Sequence, residues 1–258
     1  MSQITTEQLK QLRDATGVSV MQCKKALEEA GGDMEKAVLI LKKKSTDIAA
    51  KKAEREANDG IVVVKKDGTK VAVLTLNCET DFVASNSDFI TLADTLVSLA
   101  LSEGKDAVES NSKDLIDPVI QKIGENIQLS SIEIIEGDII GSYIHNNKTA
   151  TIITLKGGDE ALARDIAMHA TAMKPEFISR DEINAEVQEK VKDLFKEEVS
   201  ESGKPQDIQE KMLEGKLGTY FKERTLLDQP FVKNPDMTVG QLLTQSKAEV
   251  TRFFTKSV

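Results

Sequence analysis

Cysteine and histidine are each present only twice in the 258 residues, and no long apolar run occurs anywhere. Two cysteines, Cys23 and Cys78, cannot build a disulfide framework. Both lie in apolar or structured contexts and read as free, buried thiols of a reducing cytosol. Neither histidine is spaced to share a metal ion. His169 falls on the apolar face of a helical stretch and reads as a satisfied core histidine, whereas His145 lies at the edge of a hairpin turn. The N-terminus has no apolar h-region, and nothing is long enough to span a bilayer, so the expectation is a soluble, cytoplasmic protein with no membrane partner. An excess of basic charge is also missing. The net charge is −9 and the pI about 5.0, which argues against a broad nucleic-acid surface. No G-x-x-x-x-G-K-[ST] cradle and no G-x-S-x-G elbow occur, and Gly157-Gly158 is an isolated turn. Carboxylates are plentiful, but none is singled out as an acid/base pair. The expectation is therefore no enzyme, no cofactor and no metal site.

What is present is ordinary in bulk and uneven in detail. Hydrophobic residues make up 40% and charged residues 30%, enough for one large or two to three small domains. Residues 1–56 carry 11 Lys/Arg against 9 Asp/Glu, so the negative charge belongs to the remainder.

The first 44 residues read as three short helices. Thr5-x-x-Gln8 and Ser19-x-x-Gln22 are capping boxes, Gly17 and Gly31-Gly32 are stops, and Asp33 caps a third helix bearing Ala37, Val38 and Leu41. Such helices are stable only together, and the bundle resembles a ubiquitin-associated domain, a docking module. Its natural contact surface is the Gly17–Met21 loop, with Val20 and Met21 equally readable as core or as contact. Residues 42–58 are polar, mixed in charge, and read as a solvated helical linker.

The body holds an internal repeat. Gly60–Val64 and Val71–Leu76 flank a Lys-Lys-Asp-Gly turn, and Gly141–His145 and Ala150–Leu155 flank Asn146-Asn147. A helix follows each hairpin, with Phe89, Ala93, Leu96 and Ala100 on one face of the first. Leu162, Ile166, His169 and Met173 repeat the spacing in the second. Leu76 and Leu155 are offset by 79 positions but Phe89 and Leu162 by only 73, so the first copy carries six extra residues between strand and helix. They fall at Thr80, Asp81, Phe82 and Val83. A surplus at a strand end that the second copy does without points to function, with Phe82 as a simple core cover the alternative. Further on, Asp117-Pro118 reads as the start of a helix and Ile127–Ile135 as a strand. Residues 181–202 read as a long helix with Ile183, Val187, Val191 and Leu194 on its stripe. Gly203-Lys204-Pro205 turns it into an antiparallel partner, and Thr238-x-x-Gln241 with Leu242, Leu243 and Val250 suggests a last helix. The fold class is thus α+β: a three-helix ubiquitin-associated-like bundle, then a duplicated hairpin-plus-helix core with a projecting antiparallel helical hairpin. The expected divisions are 1–55, 56–140 and 141–258, with the hairpin at about 182–226 and a C-terminal segment 227–258.

TGVSVMQCKKALEEAGGD (16–33) and NCETDFVA (77–84) resemble the bacterial elongation factor Ts family. IGENI (123–127), GSYIH (141–145), IAMHATAMKPEFI (166–178), SGKP…EKMLEG (202–215), QPFV (229–232) and TVGQLL (238–243) agree with it in order. The resemblance implies a translation factor that exchanges guanine nucleotide on elongation factor Tu, binding it GDP-loaded and nucleotide-free. It implies that residues 1–55 dock on the G domain of Tu and that the Thr80–Val83 stretch, through Asp81 and Phe82, disturbs Mg²⁺ there. His145 would touch a more distant domain of Tu, and the helical hairpin is a coiled-coil module for self-association in some members. The chain stops soon after Phe253-Phe254, where many relatives continue into a further Tu-contacting helix, so that contact is expected to be absent. Two other classes stand beside this one. A pure adaptor needs nothing from Asp81-Phe82, and a hydrolase needs a nucleophile and base that the chain does not offer.

Overall fold

The computed structural model describes residues 4–258, so the first three residues of the expected 1–55 division lie outside the described part. Three helices come first: α1 (Thr6–Thr16), α2 (Val20–Glu29) and α3 (Met34–Lys52). Thr5 and Ser19 close reciprocal capping boxes with Gln8 and Gln22, and the Asp33 side chain accepts from the Lys36 amide. Leu12, Val18, Cys23, Ala26, Leu27, Ala37 and Leu41 form a small core among them. The third helix does not give way to a solvated linker. It runs on to Lys52 and buries Ser45 and Ala49, because a small residue every fourth position makes a narrow face on which another helix can lie. Val38, expected on the inner face, is exposed.

The described residues fall into two compact units. One comprises everything up to Ile135 together with Ile144–Ala150 and Lys256–Val258, and the other Glu136–Tyr143 with Thr151–Thr255. In the first unit, β1 (Asp59–Asp67) pairs antiparallel with β2 (Lys70–Cys78), Asp59 facing Cys78 and Asp67 facing Lys70. The turn is therefore Gly68-Thr69, which keeps only the glycine of the Lys-Lys-Asp-Gly run. β3 (Ile127–Glu136) completes the order β1-β2-β3, leaving β2 central and buried from Val71 to Leu76. A single turn, α4 (Asp81–Ala84), leads into α5 (Ser87–Glu103) and α6 (Lys105–Ile123). Phe89, Ala93, Leu96 and Ala100 are fully buried, as their spacing demands. Pro118, expected at a helix start, instead lies inside α6. A proline costs a helix interior about 3 kcal/mol. Burial of Val108, Ile116 and Ile120 in the same core offsets that cost and keeps the helix whole.

The second sheet has the order β4-β5-β8, from β4 (Ile139–His145), β5 (Thr149–Lys156) and β8 (Glu249–Ser257). After β5 come α7 (Glu160–Met173), α8 (Ala185–Ser200), α9 (Gln206–Arg224), the short pair β6 (Pro230–Phe231) and β7 (Asn234–Thr238), and α10 (Val239–Gln245). Gly141 is dictated by packing, since a Cβ there would stand 2.2 Å from the Ala163 carbonyl carbon of α7. α8 and α9 run antiparallel, with Phe195 against Tyr220 and Glu198 paired to Lys216. The inner stripe of α8 is Val187, Val191, Phe195 and Val199. Leu194 is 63% exposed, and Ile183 precedes the helix. Met173 also turns outward, because Ala163, Ala167 and Ala170 join Ile166 and His169 on the buried face of α7. The expected last helix ends at Gln245. Val250 belongs to β8, whose threonines Thr251 and Thr255 hydrogen-bond Thr154 and Thr151 of β5. The architecture is α+β throughout.

Candidate partner-binding site

The link between β2 and α5 is built so that half of it is core and half is bare. Thr80 is extended, and its hydroxyl accepts from the Val83 amide at 3.4 Å, which starts the single turn of α4. Successive residues of a helix turn by about 100°. With Val83 and Ala84 buried, Asp81 and Phe82 must point the opposite way. Both are exposed, and the Phe82 ring is 83% open to solvent. Of the four residues singled out from the sequence, two therefore present side chains outward, Thr80 caps the turn, and Val83 anchors it.

Polar groups hold this turn from beneath. Glu125 Oε2 accepts from the amides of Glu79 (3.1 Å) and Thr80 (3.0 Å), and Glu125 Oε1 from the Thr80 hydroxyl (2.8 Å). In return the Asn126 amide donates to Glu79 Oε1 at 2.6 Å, and the Asn126 side chain donates to the Arg55 carbonyl at 2.6 Å. The Cys78 thiol donates to the Thr80 carbonyl at 3.2 Å. Burial pushes that thiol up to about 11, aided by the nearby Asp59 and Glu125 carboxylates, so it stays protonated and unreactive at neutral pH.

Val20 and Met21 occupy the first turn of α2 and are 46% and 61% exposed, while Val18 before them is the buried anchor. Gly17 ends α1 in a left-handed conformation, φ +68°, and a Cβ there would lie 3.1 Å from Lys122 Nζ. That ammonium donates to Asp88 Oδ1 at 2.7 Å. One lysine of α6 thus spans from the Gly17 loop to the first turn of α5, six residues past Phe82. His145 is exposed at the end of β4, beside Asn146 and Asn147, both with positive φ. The tip it belongs to is fastened to the start of β1: the Val62 amide donates to the Asn147 carbonyl at 2.8 Å, and Lys148 donates to Asp59 and the Gly60 carbonyl. The hydrogen bond from Lys148 holds the Asp59 carboxyl below its usual range. Asp59 in turn faces Cys78, two residues before Thr80.

Hydrogen bonds from Lys148 and to Glu125 thus fasten two of the stretches singled out from the sequence to the segments flanking the α4 turn, while Lys122 lies against the third at Gly17 and pairs with Asp88 of α5. The three anchors were missed by sequence reasoning. Their only signal was position: Glu125 follows the left-handed helix stop Gly124, and Lys148 follows two turn asparagines.

His169 behaves as a core group. The Val232 amide donates to its Nδ1 at 3.2 Å, which leaves the proton on Nε2 to donate to Gln229 Oε1 at 2.9 Å. Burial pushes this imidazole below its usual range. Among the described residues no group of His, Cys, Asp and Glu is arranged to hold a metal ion, and no helix is long and apolar enough to cross a membrane.

Residues 79–258 match the family described as Elongation factor TS, from the foot of the α4 turn onward. The elongation factor Ts of Alkalilimnicola ehrlichii is 44% identical over 97% of this chain and 90% of its own length. Those of Escherichia coli K12 and Idiomarina loihiensis are 42% and 40% identical over 98% and 97% of this chain, and 90% and 89% of their own. The same segment that presents an unsupported-looking aromatic on a firmly supported turn opens the family match, and likeness at this level along nearly the whole length places the chain in the elongation factor Ts family, a family of translation elongation factors.

Proposed function

We propose that this protein is the guanine-nucleotide exchange factor for elongation factor Tu, acting in the cytoplasm and without bond chemistry of its own. The observation that carries the reading is Phe82, exposed beside Asp81 on a turn whose flanks, Thr80, Val83 and Ala84, are anchored. A ring left in water forgoes about 1.5–3 kcal/mol that burial would supply. That free energy is available only when a partner covers it, and it is enough to offset a comparable weakening of the partner's hold on another ligand. GDP on a translational GTPase is held by a backbone cradle and by Mg²⁺ bridging its phosphates. Phe82 entering beside that site shifts a packed element between discrete positions, and Asp81 competes for groups around the ion. Val20 and Met21 dock the three-helix segment on the same domain of Tu, and His145 contacts a more distant one. The α8–α9 pair, with Leu194 and Ile208 exposed, provides a surface for self-association.

The test is release of labelled GDP from elongation factor Tu. The protein at catalytic concentration should accelerate release, and by linkage GDP should weaken its binding to Tu by the same ratio by which it weakens GDP binding. Release unchanged at saturating protein would overturn the proposal.

A further inference from the structure

We infer that Glu125 is the positioning residue of the exchange site: it sets the aim of the Asp81–Phe82 turn without touching the partner. The inference rests on the exchange reading above. Its own ground is the geometry of one carboxylate. Two consecutive amides, Glu79 and Thr80, converge on Glu125 Oε2, a small backbone nest filled by a side chain from 45 residues away. The other oxygen takes the Thr80 hydroxyl, and that same hydroxyl accepts from the Val83 amide. A continuous path of hydrogen bonds therefore runs from Glu125 through Thr80 into the turn that carries Phe82. The direction of the ring is set by where Thr80 is held, and Glu125 holds it on three donors.

Glu125 is itself held rigidly. It follows Gly124, the left-handed stop of α6 at φ +91°, and precedes Asn126, which is buried and bonded to Glu79 and to the Arg55 carbonyl. Its side chain is half-buried and its three partners all lie in residues 79 and 80. The apolar core beneath is built mainly from Leu74, Leu76, Phe89 and Leu96, and only Val83 and Ala84 of it belong to the turn that Glu125 holds. Removing the carboxylate therefore loosens the turn more than it loosens the fold. Misplacing a reacting or inserting group by about 1 Å costs on the order of a hundredfold in rate.

Five full-length proteins separate this role from a merely structural one: wild type, Glu125→Ala, Glu125→Gln, Phe82→Ala and Glu125→Ala with Phe82→Ala. Each is measured for GDP release from Tu across protein concentration, for thermal unfolding, and for amide hydrogen exchange at Glu79 and Thr80. Glu125→Ala should lose amide protection at both positions and slow maximal GDP release on the order of tenfold to a hundredfold. Its unfolding midpoint should stay close to wild type. Glu125→Gln keeps one oxygen for both amides and an amide N–H for Thr80 Oγ1, so it should keep most of the rate and protection. The double variant should be little slower than Phe82→Ala alone, because the aim of a missing ring no longer matters. An active wild type with an equally active Glu125→Ala overturns the positioning role, as does a double variant whose losses multiply. A wild type that fails to accelerate release sinks the exchange reading instead, and unchanged amide protection in Glu125→Ala refutes the clamp whatever the rates.

Discussion

The two hairpin-plus-helix halves solve the same connection in different ways. In the first, eight residues (79–86) lead from β2 to α5, and in the second only three (157–159) lead from β5 to α7. The short version is all constraint. Gly157 and Gly158 turn back with φ of +78° and +77°, and Asp159 caps the helix through the Leu162 amide. A β-carbon at Gly157 would stand 2.3 Å from the Lys247 carbonyl oxygen, so no other residue fits. The long version inserts a whole helical turn and anchors it with Glu125 and Cys78. The contrast teaches that a strand and helix of this kind need very few residues to join. It also corrects the view that the extra residues are dispensable for folding: Val83 and Ala84 have been absorbed into the core, and only Asp81 and Phe82 remain outward.

The comparison breaks most visibly at the helices. Phe89 is fully buried in α5, and Phe89→Ala should cost about 3–5 kcal/mol in denaturant unfolding of that half. The equivalent Leu162 is only half-buried, so Leu162→Ala should cost clearly less. A Phe89→Ala loss no larger than that of Leu162→Ala would mean that the difference in burial between the two positions does not set their cost. Next comes the short connection. Gly157→Ala forces a side chain into a left-handed conformation and onto the Lys247 carbonyl, with an expected loss of about 1–3 kcal/mol.

A graded effect follows from Leu96 and His169, which hold matching places on α5 and α7. Burial keeps the His169 imidazole neutral and its pKa below the ordinary 6.5. The unfolded chain therefore binds a proton that the folded one refuses. Stability from this group is full above about 6.5 and falls as pH drops toward the depressed folded value. Amide protection in α7, measured against the intrinsic exchange rate at each pH, should fall over that range before protection in α5, and an equal fall in both helices would count against it. The smallest stability effect is at Phe82. Phe82→Ala should leave the unfolding free energy within about 0.5 kcal/mol of wild type, since the ring is already in water. The same variant should slow GDP release from Tu, so a large fall in stability together with an unchanged release rate would return Phe82 to the core.

Local rules read much of this fold correctly and long-range ones did not. The capping boxes at Thr5, Ser19 and Thr238 and the buried stripe of α5 follow from spacing within one turn or two. Pro118 misled because the packing that outweighs it lies on other elements. β8 was hidden because its partner β5 is about a hundred residues earlier and its own burial alternates only weakly. On α8 a four-residue step from Val191 reaches Phe195 and then Val199, whereas a three-residue step reaches the exposed Leu194, and sequence spacing does not distinguish them. Asp81 and Phe82 were legible because repetition within the chain made a surplus countable. Glu125 was not, since a carboxylate 45 positions from its donors leaves no periodic trace.

The unbroken run of α3 joins the three-helix segment to the rest of the first compact unit like the beam of a calliper. Lys42 pairs with Asp114, Lys52 donates to the Gly124 carbonyl, and Ala49 is part of the first sheet's core, so the helix that begins in the three-helix segment finishes as a wall of the body. In the exchange reading Met21 and Phe82 would be the two jaws, joined by a continuous helix rather than by a flexible linker. A partner engaging both, as proposed, would then have less freedom to lose than one bridging a flexible linker. Cutting at residue 55 would remove a wall along with a jaw, whereas cutting ahead of Asp33 would take the jaw alone.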